Sequence, residues 1–171
     1  NRPMGFWPQG DMPRPAGQKV PKGVNYDVWL GPAPYKPYNV ETFHFNWRGL
    51  WDYGTGAMGD MGAHIFDAPI WALNLGMPVK IQATSTPYNS EYMPLGETVT
   101  YEFPERYTPG IGYMPAVKVT WCDGGLRPER PESLEAGRAV ADATYIGDKG
   151  IIMHGSHGAL PQMVPNDPTF Q

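Results

Sequence analysis

Two side chains that could transfer a proton, Asp60 and His64, lie four residues apart in the segment Gly54 to Asp67. On an α-helix this spacing places them on one face, within contact range, and Asp67 extends that face by one turn. A carboxylate beside an imidazole can orient the ring and stabilise its protonated form, which suits a general acid or base near neutral pH. From the spacing alone, a helix-capping aspartate and a structurally satisfied histidine explain the pair equally well.

The same segment begins with three glycines, Gly54, Gly56 and Gly59, which match the G-x-G-x-x-G fingerprint of dinucleotide-binding proteins. That fingerprint requires a buried strand before it and a βαβ unit around it. The preceding residues, NWRGLWDY, do not read as a parallel-sheet strand, and the acid expected at the end of a second strand is missing. We therefore predict a glycine-lined helix start that lets a ligand approach closely, and no nucleotide phosphate site.

Three residues just before these glycines could shape a substrate pocket: Arg48, Trp51 and Tyr53. Aromatic faces suit sugar rings, and an arginine suits acidic or hydroxylated ligands. Packing within the loop is the alternative explanation for all three. With Asp67, they complete the set of candidate substrate-binding residues.

Metal and thiol chemistry have little support in the sequence. His154 and His157 lie three apart on a predicted strand or turn, and no third ligand is close in sequence, so no metal site is predicted. The one cysteine, Cys122, ends a predicted strand, where a buried structural thiol is expected and not a nucleophile.

The helix that must position Asp60 and His64 is predicted over residues 57–75, within a motif segment of residues 54–76. Its apolar residues recur at helical spacing, Gly76 stands where a C-terminal glycine cap belongs, and Pro78 follows. Pro69 lies inside the pattern and predicts a kink or a break into two helices.

After Pro78 the pattern changes to alternation of apolar and polar residues, which predicts strands at 79–84, 98–103 and 116–121. Residues 144–154 read as a hairpin, 128–141 as a short helix or a loop, and the tail after Pro161 as extended. Consecutive strands joined by short turns after one helix indicate the α+β class. We predict an open, mostly antiparallel sheet from residues 79–160, with helices on one face.

Composition favours one folded domain with much loop. The 171 residues include 20 Pro and 21 Gly, but also 6 Trp, 10 Tyr and 6 Phe, which a disordered chain would lack. Residues 1–45 combine prolines with aromatics, so we expect a long, ordered loop there, with a flexible linker as the alternative.

The charge pattern narrows the possible partners. There are 13 basic and 17 acidic side chains and no basic stripe, so nucleic acid is not an expected partner. No run of 18 apolar residues occurs, so no membrane span is expected.

Asn1 is not an initiator and no signal segment follows, so a fragment or processed product is expected, and any export signal would lie in a missing part. The sequence leaves the cellular location open.

The motif segment follows the pattern G-x-G-x-x-x-D-x-G-x-H-x-x-D and leads into a helix that ends in L-G-x-P at residues 75–78. This pattern resembles the second domain of the Gfo/Idh/MocA oxidoreductases. The runs FNWRG (45–49) and WLGP (29–32) resemble one branch of that family, common among bacteria that handle complex carbohydrates. The resemblance is strong over residues 26–80 and weaker over the predicted strands.

The resemblance implies that residues 1–171 are the substrate-binding domain of a two-domain enzyme. The family's first domain is a Rossmann domain that binds NAD or NADP, and neither it nor the family's Glu-Lys-Pro motif is present in this chain. In the family, the histidine matching His64 is the general acid/base on the substrate hydroxyl while hydride leaves to the nicotinamide, and the aspartate matching Asp60 supports it. We therefore expect an NAD(P)-dependent oxidoreductase of a sugar or polyol in full-length form, with this part alone inactive.

Two other functions remain open for the same residues. Some relatives are glycosidases that use tightly held NAD for transient oxidation, and the domain could instead be a non-catalytic carbohydrate-binding or structural module. The resemblance also implies a homo-oligomer assembled through the open sheet, whose uncovered face invites a partner.

Overall fold

The computed structural model describes residues 7–132 and 134–164, and the regular elements there are short. The helices in these ranges are α1 (Tyr26–Leu30), α2 (Gly56–Ile65) and α3 (Asp67–Leu73), with 3₁₀ turns at Val40–Thr42, Asn46–Gly49 and Ser156–Gly158. The strands are β1 (Lys80–Ser85), β2 (Glu97–Phe103), β3 (Arg106–Thr108), β4 (Gly112–Met114), β5 (Val117–Cys122), β6 (Ala143–Gly147), β7 (Gly150–His154) and β8 (Gln162–Val164).

The predicted α+β class and antiparallel strand arrangement are confirmed. Within the described ranges the strands divide among three sheets, with orders β1-β2-β5, β3-β4 and β6-β7-β8, and every pairing is antiparallel. None of the helices in these ranges is long and apolar enough to cross a membrane.

Helix α2 packs its apolar side on one face of the first sheet. Ile65 forms a buried cluster with Val99 and Trp121, which stand opposite each other on β2 and β5. Phe66 stacks on Trp121 with ring centroids 5.5 Å apart. Because side chains alternate between the two faces of a strand, this face collects the apolar residues and the other face keeps Thr and charged residues. The sheet therefore serves as the platform that holds α2.

The predicted break in the long helix is confirmed, but it occurs at Phe66, three residues before Pro69. Proline has no backbone N–H, and the first N–H groups of a helix lack intrahelical partners, so Pro69 fits in the first turn of α3 without losing a hydrogen bond. The left-handed residue that ends α3 is Asn74, with φ of 45°, and not the expected Gly76. Asparagine tolerates this conformation because its short polar side chain can bond locally.

The predicted strands are confirmed, and most of their predicted ends lie within one residue of the observed ends. Alternation fails to reveal the β3–β4 hairpin and β8, since each of these strands has only three residues. Residues 128–132 and 134–141 hold no regular element, so the loop is the correct alternative there. The third sheet has its own small core of Leu134, Ile151, Met153 and Val164.

Residues 9–14 lie along the loop that precedes β2. Gly10 donates its N–H to the carbonyl of Met93 at 2.7 Å, and Met93 donates in turn to the carbonyl of Gly49 at 2.8 Å. The Asn89 amide donates to the Met12 carbonyl at 2.8 Å. These bonds join the proline- and aromatic-rich region to the 3₁₀ turn at residues 46–49, just before α2.

Candidate functional site

The start of α2 is shaped by the protein's own backbone. A Cβ added at Gly54 would overlap the backbone of Arg48, and Gly56 has a φ of +65°, which glycine adopts without strain. The expectation of a glycine-lined surface open to a ligand is therefore wrong at Gly54, because Arg48 already occupies that space. This close approach brings the 3₁₀ turn at residues 46–49 directly against α2.

Arg48 and Asp60 form an ion pair across this contact. The Arg48 Nε donates to the Asp60 Oδ1 at 2.8 Å, and each side chain is 25% exposed. The guanidinium also donates to the Phe45 carbonyl at 3.0 Å and lies over the rings of Trp47 and Phe45, at 4.5 and 4.6 Å from their centroids. The arginine is thus held in one geometry and neutralises the aspartate one helical turn before His64.

His64 lies in the last turn of α2 with its side chain exposed. Its ring centroid is 4.8 Å from that of His157, with the ring planes tilted by 47°. In the described parts of the chain, Asp60 and His64 share no hydrogen bond, and the bond that orients Asp60 comes from Arg48. The structure therefore gives His64 a second imidazole as its neighbour.

His157 is a residue that the sequence pattern did not assign to this site. It lies in the 3₁₀ turn at Ser156–Gly158 with a φ of 62°, a left-handed conformation that is uncommon for residues other than glycine. The Asp142 carboxylate holds this turn by accepting from the Ser156 N–H at 2.9 Å and its hydroxyl at 2.7 Å. Strained residues held by their surroundings cluster at functional sites, and the glycines beside His157 are the sequence signal of such a turn.

The other predicted contacts spread around this centre. Asp67 is exposed at the first position of α3, where a negative charge suits the helix N-terminus. Trp51 is 44% exposed and donates its indole N–H to the Asn89 carbonyl at 2.9 Å. Tyr53 accepts from the Arg14 guanidinium at 3.2 Å, and its ring lies edge-on to Trp29. Tyr53 thus packs with Tyr26, Trp29, Tyr38 and Phe43, and these rings form the aromatic region of the protein.

A cluster of four charged residues lies under that aromatic region. Lys36 contacts Asp52 at 2.5 Å and Glu91 at 2.8 Å, and Arg14 contacts Glu91 at 3.3 Å. Burial opposes the charge of Lys36, but hydrogen bonds to Asp52 and Glu91 outweigh it and raise the pKa of the ammonium. Burial, helped by Tyr53, raises the pKa of Tyr26 to about 12, so its hydroxyl stays protonated and donates to the Lys36 carbonyl at 3.0 Å.

Two residues considered for metal or thiol chemistry have structural partners. His154 is buried, with its Nδ1 donating to the Gly155 carbonyl at 2.6 Å and its Nε2 in contact with the Tyr145 hydroxyl at 2.9 Å. Cys122 is buried at the end of β5, where the Thr98 hydroxyl donates to its Sγ at 3.8 Å. Across residues 7–132 and 134–164, no group of three or more His, Cys, Asp or Glu could hold a metal ion.

The described residues do not fit a dinucleotide. A 3₁₀ turn precedes the glycines of α2, and the strand pairs of these ranges are antiparallel, so the buried strand and βαβ unit that a pyrophosphate site needs are not formed there. A nucleotide cofactor of this protein would have to be bound mainly by residues outside these ranges.

A model of a known protein family matches residues 6–108. The matching model is described as an oxidoreductase family, C-terminal alpha/beta domain. The match includes the 46–49 turn, α2, α3, β1 and β2, and it ends before His157. Comparison with curated proteins gives no match.

Proposed function

The chain belongs to the Gfo/Idh/MocA oxidoreductase family as its C-terminal alpha/beta domain, and from this premise we propose that it binds the substrate of an NAD(P)-dependent dehydrogenase. The substrate would be a sugar, a polyol or a related carbohydrate hydroxyl. The observation that carries this proposal is the exposed imidazole of His64, which lies one turn after the Arg48–Asp60 ion pair and beside His157.

His64 is the proposed general base. An imidazole can take the proton of a substrate hydroxyl as the carbon–hydrogen bond breaks, and can return it in the reverse reaction. Its exposure on α2 leaves it accessible to a substrate bound on this side of the helix. Packing of Ile65 in the sheet core keeps the last turn of α2, and with it His64, in place.

Asp60 and Arg48 are proposed to act on His64 through charge and position. The Asp60 carboxylate, four residues before His64 on the same helix, favours the imidazolium that forms when His64 takes a proton. Arg48 neutralises part of that charge and ties α2 to the 46–49 turn. Because the Asp60 carboxylate is bonded to Arg48, the side chain that lies against His64 is His157. The His157 ring is proposed to limit rotation of the His64 imidazole.

The oxidation also needs a hydride acceptor, and we propose NAD or NADP bound mainly by another domain of the full-length protein. Trp51, Tyr53 and Asp67 are proposed to contact the substrate at the edges of the site. Of these, Trp51 and Asp67 are exposed and available to a ligand.

The test is turnover by the full-length enzyme on a panel of sugars, methyl glycosides and inositols with NAD and NADP. His64→Ala should lower kcat by about a thousandfold or more while nucleotide binding is unchanged, because loss of a general base removes a step made only in the transition state. His44→Asn is the matched control, since His44 is an exposed histidine with a left-handed φ of 62° that Asn tolerates. Full activity of His64→Ala would exclude the proposed role.

The reaction products distinguish the dehydrogenase from the glycosidase and from a non-catalytic binding module. Net reduction of the nicotinamide supports the dehydrogenase. Release of free sugar from a methyl glycoside without net reduction would assign the NAD-dependent glycosidase of the same family. Saturable sugar binding without any turnover by the full-length protein would assign a non-catalytic binding module.

A further inference from the structure

The aromatic region contains an open cleft of about 580 Å³. Its walls include Trp29, Trp47 and Tyr53, with Asp52 and the Pro32–Pro34 segment completing them. Neither His64 nor Asp60 lines it, and Tyr53 is the one lining residue that is also a proposed substrate contact at the edge of the His64 site. The volume falls within the range of about 300–1,000 Å³ that is typical of ligand sites.

The walls of the cleft are rigid before any ligand binds. Trp29 stacks on Tyr26 with an interplanar angle of 13° and also contacts Phe43, at a centroid distance of 4.9 Å. Tyr26 and Leu30 are buried in the core cluster beneath. Because these rings are already ordered, a ligand that enters the cleft loses little affinity to rearrangement of the protein.

The charges around the cleft argue for a neutral ligand. Asp52 at the wall is paired with Lys36, and Glu91 is paired with both Lys36 and Arg14, so the four charges sum to zero. An anionic ligand would meet the Asp52 carboxylate without a free cation in this cluster to compensate.

A cationic ligand is disfavoured for a different reason. Aromatic walls with a carboxylate attract quaternary ammonium groups through the negative faces of the rings. Here the Arg48 guanidinium already lies over Trp47 at 4.5 Å, and Arg14 lies 5.7 Å from the centroid of Tyr53. Two of the three aromatic rings therefore already hold a protein cation, which would repel a second one.

We propose that this cleft binds a neutral polyhydroxylated ring, such as a pyranose, at a site distinct from His64. The apolar C–H face of the ring would pack on Trp29 and Trp47, while hydroxyl groups at its edge donate to the Asp52 carboxylate. Such a ligand uses the aromatic surface and the remaining acceptor capacity of Asp52 without adding a charge. The site would hold part of a larger carbohydrate, or retain the protein on one, whether or not His64 acts as a base.

Ligand-detected NMR on the full-length protein tests this, with methyl β-D-glucopyranoside, choline and glucuronate as the probes. The glucoside should bind with a Kd on the order of 1–10 mM, and the two charged probes at least about tenfold more weakly. Trp47→Ala and the nearly isosteric Asp52→Asn should each raise the Kd for the glucoside about fivefold or more.

Two variants locate the binding. Trp71→Ala removes a tryptophan that is 86% exposed on α3, outside the cleft, and should leave the Kd unchanged. His64→Ala should also leave it unchanged, even where it abolishes turnover. The proposal is overturned if the glucoside shows no saturable binding, if choline or glucuronate binds better, if Trp47→Ala and Asp52→Asn leave binding intact, or if binding is lost with His64.

Discussion

The aromatic region and the end of α2 differ in how their polar groups are paired and exposed. In the aromatic region each member of the cluster Arg14, Lys36, Asp52 and Glu91 has an opposite charge within 3.3 Å, and the rings above are packed on one another. At the end of α2, His64 and His157 are exposed and contact each other. This difference underlies the two proposals made above, which are ligand binding in the aromatic region and proton transfer at the end of α2.

Between the two regions, Gly54 lies against the backbone of Arg48. Gly54→Ala should lower the free energy of unfolding by about 3 kcal/mol or more, because the new methyl group would overlap backbone atoms that cannot move independently. Thermal unfolding measures the loss. Gly62→Ala is the control, since a Cβ there makes ordinary contacts with Phe66 and improves helix propensity, so its melting temperature should not fall. Equal stability of the two variants would contradict the close contact.

Replacing Lys36 removes the cation that pairs with Asp52 and Glu91 beside the aromatic region. Lys36→Met keeps the aliphatic stem but leaves Asp52 and Glu91 with less compensation, and should cost about 1–2 kcal/mol at pH 7. Lys80→Met is the control, because the pair of Lys80 with Glu102 is 59% and 40% exposed and contributes little.

The pH dependence of the Lys36 variant identifies the cause of its effect. The folded pKa of Lys36 is raised, so its contribution is fully present below the unfolded value of 10.5 and is lost as the pH rises through the higher folded pKa. Above neutral pH, the stability difference between wild type and Lys36→Met should therefore begin to shrink only above pH 10.5. A difference that persists unchanged there would assign the loss to packing.

Variants of His157 distinguish the effect of its ring contact with His64 from the effect of its left-handed backbone. In the full-length enzyme, His157→Asn keeps a residue that tolerates the left-handed φ but removes the ring, and should lower kcat about tenfold if the ring positions His64. His157→Phe keeps a ring and should retain most of the activity. Leu160→Asn, at another left-handed position nearby, controls for loop changes. Equal losses in the Asn and Phe variants would show that His157 acts through its nitrogens instead.

The smallest expected effect lies in the sheet below α2. Burial, with a lesser contribution from Asp123, raises the pKa of Glu97, so the folded state favours its protonated form. The resulting penalty is full above the folded pKa and disappears as the pH falls below the unfolded value of 4.5. Glu97→Gln should raise the melting temperature by about 1–2 °C at pH 7 and by nothing at pH 4. A gain that is the same at both pH values would contradict the electrostatic explanation.

Sequence patterns predicted the parts of this fold that depend on neighbouring residues. Alternation located β1, β2 and β5 because one face of each strand is apolar, and the helical period located α2 and α3. The partner of Asp60 was not predictable in the same way. Arg48 reaches it because a 3₁₀ turn folds back on Gly54, and no periodicity encodes that approach.

The neighbour of His64 is still harder to predict. His157 reaches it from a turn whose position depends on the pairing of β6, β7 and β8 and on the Asp142–Ser156 hydrogen bonds. These are contacts between residues distant along the chain, and single-sequence patterns describe only local ones. The six candidate site residues therefore came from type and spacing, while their actual partners came from the tertiary fold.

The two partners of the α2 site also differ in how soon they can form during folding. Arg48 and Asp60 are separated by 12 positions, so the loop between them closes with a small entropy cost and can close early. The contact of His64 with His157 must wait until much of the second half of the chain has folded, because it spans a far larger loop. A nascent or truncated chain would thus carry the ion pair without the second imidazole. Until that contact forms, His64 would lack the ring that positions it, which by the expectation for His157→Asn slows turnover about tenfold.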